Sequence, residues 1–338
     1  MIAHSADLTL VWAFVIAFAV AAYVVLDGFD LGLGILFPFF PEKEDRDVVM
    51  NTVAPVWDGN ETWLVLGGGG LFAAFPLAFA ILMPALYLPM FAMLLALVFR
   101  GVAFEFRWRS RRRAHWWDVS FILGSMIATF FQGTILGAIL QGVAVDGRGY
   151  DGGAFDWCTG FSILTGLALV IGYGMLGATW LVMKTGGALQ ARARRLARPF
   201  AAGTLFFIVA LSAATPALEP GYYQRWLTMP NLIFTAPVPI AVGAVALLLF
   251  RSLARERDEI RPFLLTLALF GLCFVGLGIS IFPYIVPVRV TIWEAAAPAN
   301  SQAFMLAGTA MLMPLIIAYT AYAYWVFRGK VEPGQGYH

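Results

Sequence analysis

The chain has 338 residues, of which 61% are hydrophobic and only 12% charged, about half the charged share of ordinary soluble domains, so a water-soluble fold is excluded. A formal net charge of +2 leaves no basic domain for nucleic acid. The two cysteines, Cys158 and Cys273, lie far apart in apolar runs, which excludes a disulfide framework or a CxxC site and suits packing as small hydrophobes.

About 20 apolar residues cross a ~30 Å hydrocarbon core as helix, and the long uncharged runs therefore predict an all-α polytopic membrane protein. The first run, 8–26, is too long for a signal h-region and follows no basic segment, so it is expected to be a retained span. Cutting the chain at charges and at Gly and Pro breaks predicts nine spans: 8–26, 55–75, 77–99, 119–142, 158–183, 199–218, 232–250, 263–286 and 302–327. The second and third are divided by a turn near Phe75-Pro76.

Alternate connections then hold 19 of the 22 Lys and Arg residues, among them Arg100, Arg107, Arg109 and Arg111 to Arg113 after the third span. The positive-inside rule puts those connections in the cytoplasm, the N-terminus outside and the C-terminus inside. Nine crossings satisfy the same orientation, and the short loops leave no soluble domain.

Haem iron is usually held by His, Met, Cys or Tyr. His4, His115 and His338 all fall in termini or a loop, so no bis-His site is expected within the spans, and the twelve methionines suit gap filling. No metal-ligand, Walker or nucleophile-elbow pattern occurs. Gly28, Gly32 and Gly34, and the run Gly67 to Gly70, read as sites of close helix packing. Asn60-Glu61-Thr62 matches a glycosylation sequon by chance, because it lies on the cytoplasmic side.

The informative feature is a set of acids beside uncharged spans: Asp27, Asp30, Asp58, Glu61 and Glu105. Asp27 with Asp30, and Asp58 with Glu61, are spaced i to i+3 and share a face wherever helix is continuous. Acids in such places mark ion paths or sit at the interface neutralised by arginines, and Arg100 and Arg107 are the available partners. The arginine run 107–113 reads as a topology anchor near anionic lipid, Trp116, Trp117, Trp157, Trp226 and Trp325 as an aromatic belt, and Trp293-Glu294 as a weaker outer site.

The text YVVLDGFDLGLGILF at 23–37 resembles the signature of subunit II of the cytochrome bd quinol oxidases. The likeness continues in VAPVWDGNETWLVL at 53–66, FRGVAFEFR at 99–107, Phe282-Pro283 and Thr291 to Glu294, and so spans the chain. The short polar loops resemble the cyanide-insensitive branch. The resemblance implies nine helices as two four-helix bundles plus one, in a bacterial cytoplasmic membrane. It implies a heterodimer with a subunit I that carries haems b and d, oxidises quinol and reduces oxygen to water. This chain would ligate no cofactor. A small single-span subunit, lipid and quinone are further expected neighbours, and nucleic acid is not. The matching positions Asp30, Asp58 and Glu105, with Trp63 nearby, imply a cytoplasmic proton path, and Glu105 stands where many members carry Asp; Asp58 and Glu105 are then expected to form its mouth, with Asp27, Asp30 and Glu61 tuning the entrance and Arg100 as charge partner. A proton-coupled secondary transporter and a purely structural assembly subunit are the competing readings.

Overall fold

The computed structural model describes residues 2–110, 114–332 and 334, with side chains from residue 7 onward. Arg111 to Arg113 and His338 lie outside the described residues, as does the side chain of His4. The order begins α1 (Ile2–Leu36), α2 (Lys43–Asn51), α3 (Trp57–Ala74), α4 (Pro76–Arg109) and α5 (Ala114–Gln141). A short hairpin, β1 (Val145–Asp146) and β2 (Gly149–Tyr150), leads into α6 (Gly160–Lys184) and α7 (Gly187–Ala214). Two short helices, α8 (Pro220–Leu227) and α9 (Asn231–Thr235), precede α10 (Pro237–Ala254) and α11 (Arg261–Ile281). A second hairpin, β3 (Tyr284–Val286) and β4 (Val290–Thr291), then passes through α12 (Ile292–Ala295) to α13 (Ala299–Val326).

Among the described residues eight helices are long and apolar enough to cross a membrane, where the sequence led us to expect nine spans. The expected second span, 55–75, holds α3, which has only 18 residues and falls short in apolarity. Its opening turns carry Asp58, Asn60 and Glu61, and its middle is four glycines. The turn between α3 and α4 falls at Phe75, with Pro76 at the first helical position, where its missing N–H costs nothing.

Charges do not end the helices here as they were expected to. The first expected span stops at Leu26, but α1 runs on through Asp27 and Asp30 to Leu36. The third stops at Phe99, but α4 continues to Arg109, so Arg100 and Arg107 are helix residues and not part of a connection. In the eighth, the helix stops at Ile281 and 284–286 is a strand. Pro283 has no N–H to continue the ladder and disfavours α geometry at Phe282.

The dense part of the molecule is N-terminal. α1 packs across α3, α5 and α6, α5 lies between α4 and α6, and α7 follows α6. Small residues permit this closeness. A Cβ added at Gly32 would stand 2.0 Å from the Tyr173 carbonyl oxygen, and one at Gly177 would stand 2.6 Å from the Gly32 carbonyl carbon, so backbone meets backbone where α1 crosses α6. In the run Gly67 to Gly70, by contrast, only Gly67 and Gly70 face a neighbour; Gly68 and Gly69 point to open space. Cys158 is exposed in the loop before α6 and does not pack as a small hydrophobe, whereas Cys273 is half-buried.

Candidate functional site

Because α1 is continuous from Tyr23 to Leu36, the i to i+3 spacing puts Asp27 and Asp30 on one face, and both are fully buried. The facing stretch of α4 supplies Arg100, also fully buried, where Gly124 of α5 lets the backbone come close: a Cβ there would stand 3.0 Å from the Arg100 nitrogen. The first turns of α3 bring Asn60 and Glu61 against the same place.

Arg100 bridges two acids. Its Nη1 lies 2.9 Å from Asp27 Oδ1, and its Nη2 donates to Glu61 Oε1. The Trp57 ring lies 5.9 Å from the guanidinium and stacks on Phe104 at 5.0 Å. A guanidinium fits this role because it presents several donors in a fixed fork and stays charged when buried. The Glu61 side chain is 27% exposed, so the cluster reaches the surface there.

Asp30 is held differently. Asn60 Nδ2 donates to Asp30 Oδ2 at 2.7 Å and to the Leu26 carbonyl at 3.2 Å, while the Tyr324 hydroxyl of α13 donates to Asn60 Oδ1 at 2.9 Å. The other Asp30 oxygen, Oδ1, is buried with no protein hydrogen-bond partner. Trp63 is buried one turn beyond Asn60, edge-on to Phe18 at 5.6 Å, and packs against Tyr23 rather than touching an acid.

The structure thus brings Asp27, Asp30, Glu61 and Arg100 together, and it adds Asn60 and Tyr324. Asn60 was visible in the sequence only as part of a chance sequon; it is 1% exposed and engaged on both sides of its amide. Asp58 and Glu105 are not part of the cluster. Asp58 is exposed and makes no ion pair among the described residues, and Glu105 is exposed with Arg109 3.8 Å away, one turn along. Each heads an exposed apolar stripe: Val65 and Phe72 beyond Asp58 on α3, and Val98, Phe91 and Tyr87 beyond Glu105 on α4.

A second ionic cluster was not anticipated. Arg107 donates from Nε to Asp118 Oδ1 at 2.5 Å and from Nη1 to Asp47 Oδ1 at 2.6 Å, and Arg46 Nη1 reaches Asp118 Oδ2 at 2.9 Å. Both guanidinium groups also lie over the Phe37 ring, so α2, α4 and α5 are tied at one end. Arg107 therefore does not compensate the acids of α1 and α3. The available signal was Asp118, a lone acid at the start of an apolar run.

On the other side, Glu294 is a helix cap. Its Oε2 accepts from the Thr291 backbone N–H at 2.7 Å and from the Thr291 hydroxyl at 2.8 Å, closing a capping box over α12. Those bonds hold its carboxyl below the usual carboxylate range. Among the described residues no group of three or more His, Cys, Asp or Glu could hold a metal ion, and His115 is exposed beside Trp116.

Comparison with known proteins adds the wider frame. Residues 8–327 match the family described as cytochrome bd terminal oxidase subunit II. The cytochrome bd ubiquinol oxidase subunit 2 of Bacillus subtilis is 30% identical over 332 residues, covering 95% of this chain and 96% of that one. The cytochrome bd-I ubiquinol oxidase subunit 2 of Escherichia coli K12 is 28% identical over 366 residues, covering 96% and 95%. A chain of the bd oxidase structure from Geobacillus thermodenitrificans shares the fold with a TM-score of 0.75 at 19% identity, covering 95% of this chain and 98% of that one.

Proposed function

The chain belongs to the cytochrome bd terminal oxidase subunit II family, and from that premise we propose that it is the haem-free subunit of a quinol oxidase that brings cytoplasmic protons to the oxygen-reducing site of subunit I. The haems, carried by that partner, supply the electron chemistry that takes oxygen to water. This chain would bind no redox group and would cross a bacterial cytoplasmic membrane nine times, in two four-helix bundles plus one helix, with its N-terminus outside. A small single-span subunit, lipid and quinone complete the expected surroundings.

The observation that carries this reading is Arg100 joining the fully buried Asp27 to the half-buried Glu61, with Asp30 one turn further along α1. Carboxylates are expensive away from water, and a string of them reaching the surface at one point suits a relay better than a core. Arg100 pairs with Asp27 and Glu61, whereas Asp30 faces an amide instead of a cation. Asp58 and Glu105, each at the head of an exposed apolar stripe, are suited to form the mouth of the path where those stripes meet subunit I. Protons drawn from inside, with quinol releasing its own outside, charge the membrane without a pump.

The purely structural reading has one observation in its favour, the ion pairing of Asp27 and Glu61. Asp58 and Glu105 separate the two readings, because they hold no buried partner and their amides leave the bundle intact. In the assembled enzyme Asp58→Asn and Glu105→Gln are expected to slow oxygen uptake about tenfold or more with normal haem content. Wild-type turnover in both would leave this subunit a scaffold.

A further inference from the structure

We propose that the cleft between the first turns of α3 and the last turns of α13 is a water site that delivers protons to Asp30, with Asn60 and Tyr324 as its inner wall. This rests on the proton-path reading and adds an entrance separate from Glu61. The cleft has a volume of about 30 Å³ and is lined by Val56, Gly59 and Asn60 on one side and Thr320, Ala323 and Tyr324 on the other. About 10–15 Å³ holds one water, so the site takes one or two waters and is too small for a quinone ring or an acyl chain. A buried water needs two to four polar partners, and the Asn60 amide, the Tyr324 hydroxyl and the Thr320 hydroxyl are of that kind.

A single side chain separates this cleft from Asp30. The Asn60 amide lines the cleft and donates to Asp30 Oδ2 at 2.7 Å, and Tyr324 fixes the amide from the other side at 2.9 Å. An amide does not itself pass a proton readily, so the Asn60 side chain is the gate. When it turns aside, a hydronium in the cleft gives its proton to the Asp30 carboxylate and remains as water. Asp30 Oδ2, the oxygen that the Asn60 amide covers, is the acceptor atom.

The gate is set by α13. Tyr324 is braced edge-on by Phe29 and Trp180, at 6.4 and 6.3 Å. Just beyond it Lys184 Nζ donates to the carbonyls of Phe327 and Gly329. The rest of α13 offers little burial, with Gln302 near its start as its one buried residue among those described.

The test is a blocked cleft. A Cβ at Gly59 meets nothing within 4 Å, and Leu is a better helix former than Gly, so Gly59→Leu adds an apolar side chain to the wall of the cleft with no clash at its Cβ. In the assembled oxidase in liposomes, Gly59→Leu is expected to slow proton uptake and oxygen consumption about tenfold or more with haem content unchanged. Gly243→Leu in α10, also free of neighbours within 4 Å, should run at the wild-type rate. Asp30→Asn run in parallel separates the two claims. If Asp30→Asn is slow and Gly59→Leu is not, the cleft proposal falls and the proton path stands; if both are fast, the path itself falls. Should Gly59→Leu fail to assemble, high-resolution cryo-electron microscopy of the wild-type complex decides. Ordered water between Asn60 and Thr320 supports the site, and a cleft closed by a partner side chain or a lipid overturns it.

Discussion

The helices α1 and α3 to α5 and the helices α6 to α13 solve different problems with the same kinds of residue. In the first group cations meet anions inside the protein, Arg100 with Asp27 and Arg107 with Asp118. In the second group the buried cation meets backbone. Arg194 donates to the carbonyls of Arg255 and Asp258, each at 2.8 Å, and Arg225 donates to that of Ser280 at 2.8 Å. The last carbonyls of a helix carry partial negative charge and lack partners, so an arginine there closes a helix end. The first arrangement sets up charge within the bundle, whereas the second only finishes the frame. Side chains exposed along α10, α11 and α13, such as Ile240, Val275 and Phe304, are apolar and suit lipid or another subunit.

The sharpest way to break this contrast is to remove one cation from each group. Arg100→Met leaves Asp27 buried with no counter-charge, which is expected to cost about 3–5 kcal/mol. Arg194→Met abandons carbonyls that water can partly reach, and roughly 1–3 kcal/mol is expected. Thermal denaturation of the purified complex measures both, and adding Asp27→Asn to Arg100→Met should return part of the loss. Equal losses at the two arginines would mean that the ion cluster is no more demanding than a helix cap.

Glycine sharpens the same comparison at the level of packing. At Gly32 a methyl would meet the Tyr173 carbonyl oxygen at 2.0 Å, so Gly32→Ala must push α1 and α6 apart, at a cost of about 1–3 kcal/mol or more. At Gly271 in α11 nothing lies within 4 Å, and Gly271→Ala is expected to stabilise by about 0.5–1 kcal/mol through helix entropy alone. The same denaturation series reads both signs, and a destabilising Gly271→Ala would reveal a contact that this chain alone does not show.

These contrasts also explain what was legible beforehand. The all-helical membrane class follows from composition, and the acids of the Arg100 cluster stood out because they interrupt apolar text. Their surroundings did not follow. Cutting the sequence at charges assumes that each charge sits in water, and Asp27, Asp30 and Arg100 violate that by pairing or bonding inside. The spacing of Asp58 and Glu105 places them on helix faces but says nothing about which face meets the protein, and both point away from the cluster. Tyr324 reaches Asn60 across 264 positions, a distance no local pattern spans. The weaker outer candidate, Trp293-Glu294, carries a Thr-x-x-Glu capping signature that helix chemistry alone could have supplied.

The smallest expected effect tests whether exposed charge behaves as buried charge does. Glu259, in the turn between α10 and α11, accepts from Lys330 Nζ at 2.6 Å and from Gln190 Nε2 at 3.1 Å, so it ties the C-terminal tail to α7. The hydrogen bond from Lys330, then that from Gln190, holds its carboxyl below the usual carboxylate range. A lowered value in the attached state means that the detached state takes up a proton more readily. The tie is therefore at full strength above the ordinary carboxylate value of about 4.3, and it is lost as pH falls through the lowered one. Proteolysis or hydrogen exchange of residues 328–332 should show no change from pH 8 to 6 and growing exposure below about pH 4. Glu259→Gln should loosen the tail already at neutral pH. High salt should also weaken this exposed pair while leaving Arg100 and Asp27 untouched, because screening acts on charges that ions can approach. A tail indifferent to pH and salt alike would be held at Lys184, whose Nζ donates to the carbonyls of Phe327 and Gly329 and whose own carbonyl accepts from the Val331 N–H, and not at Glu259.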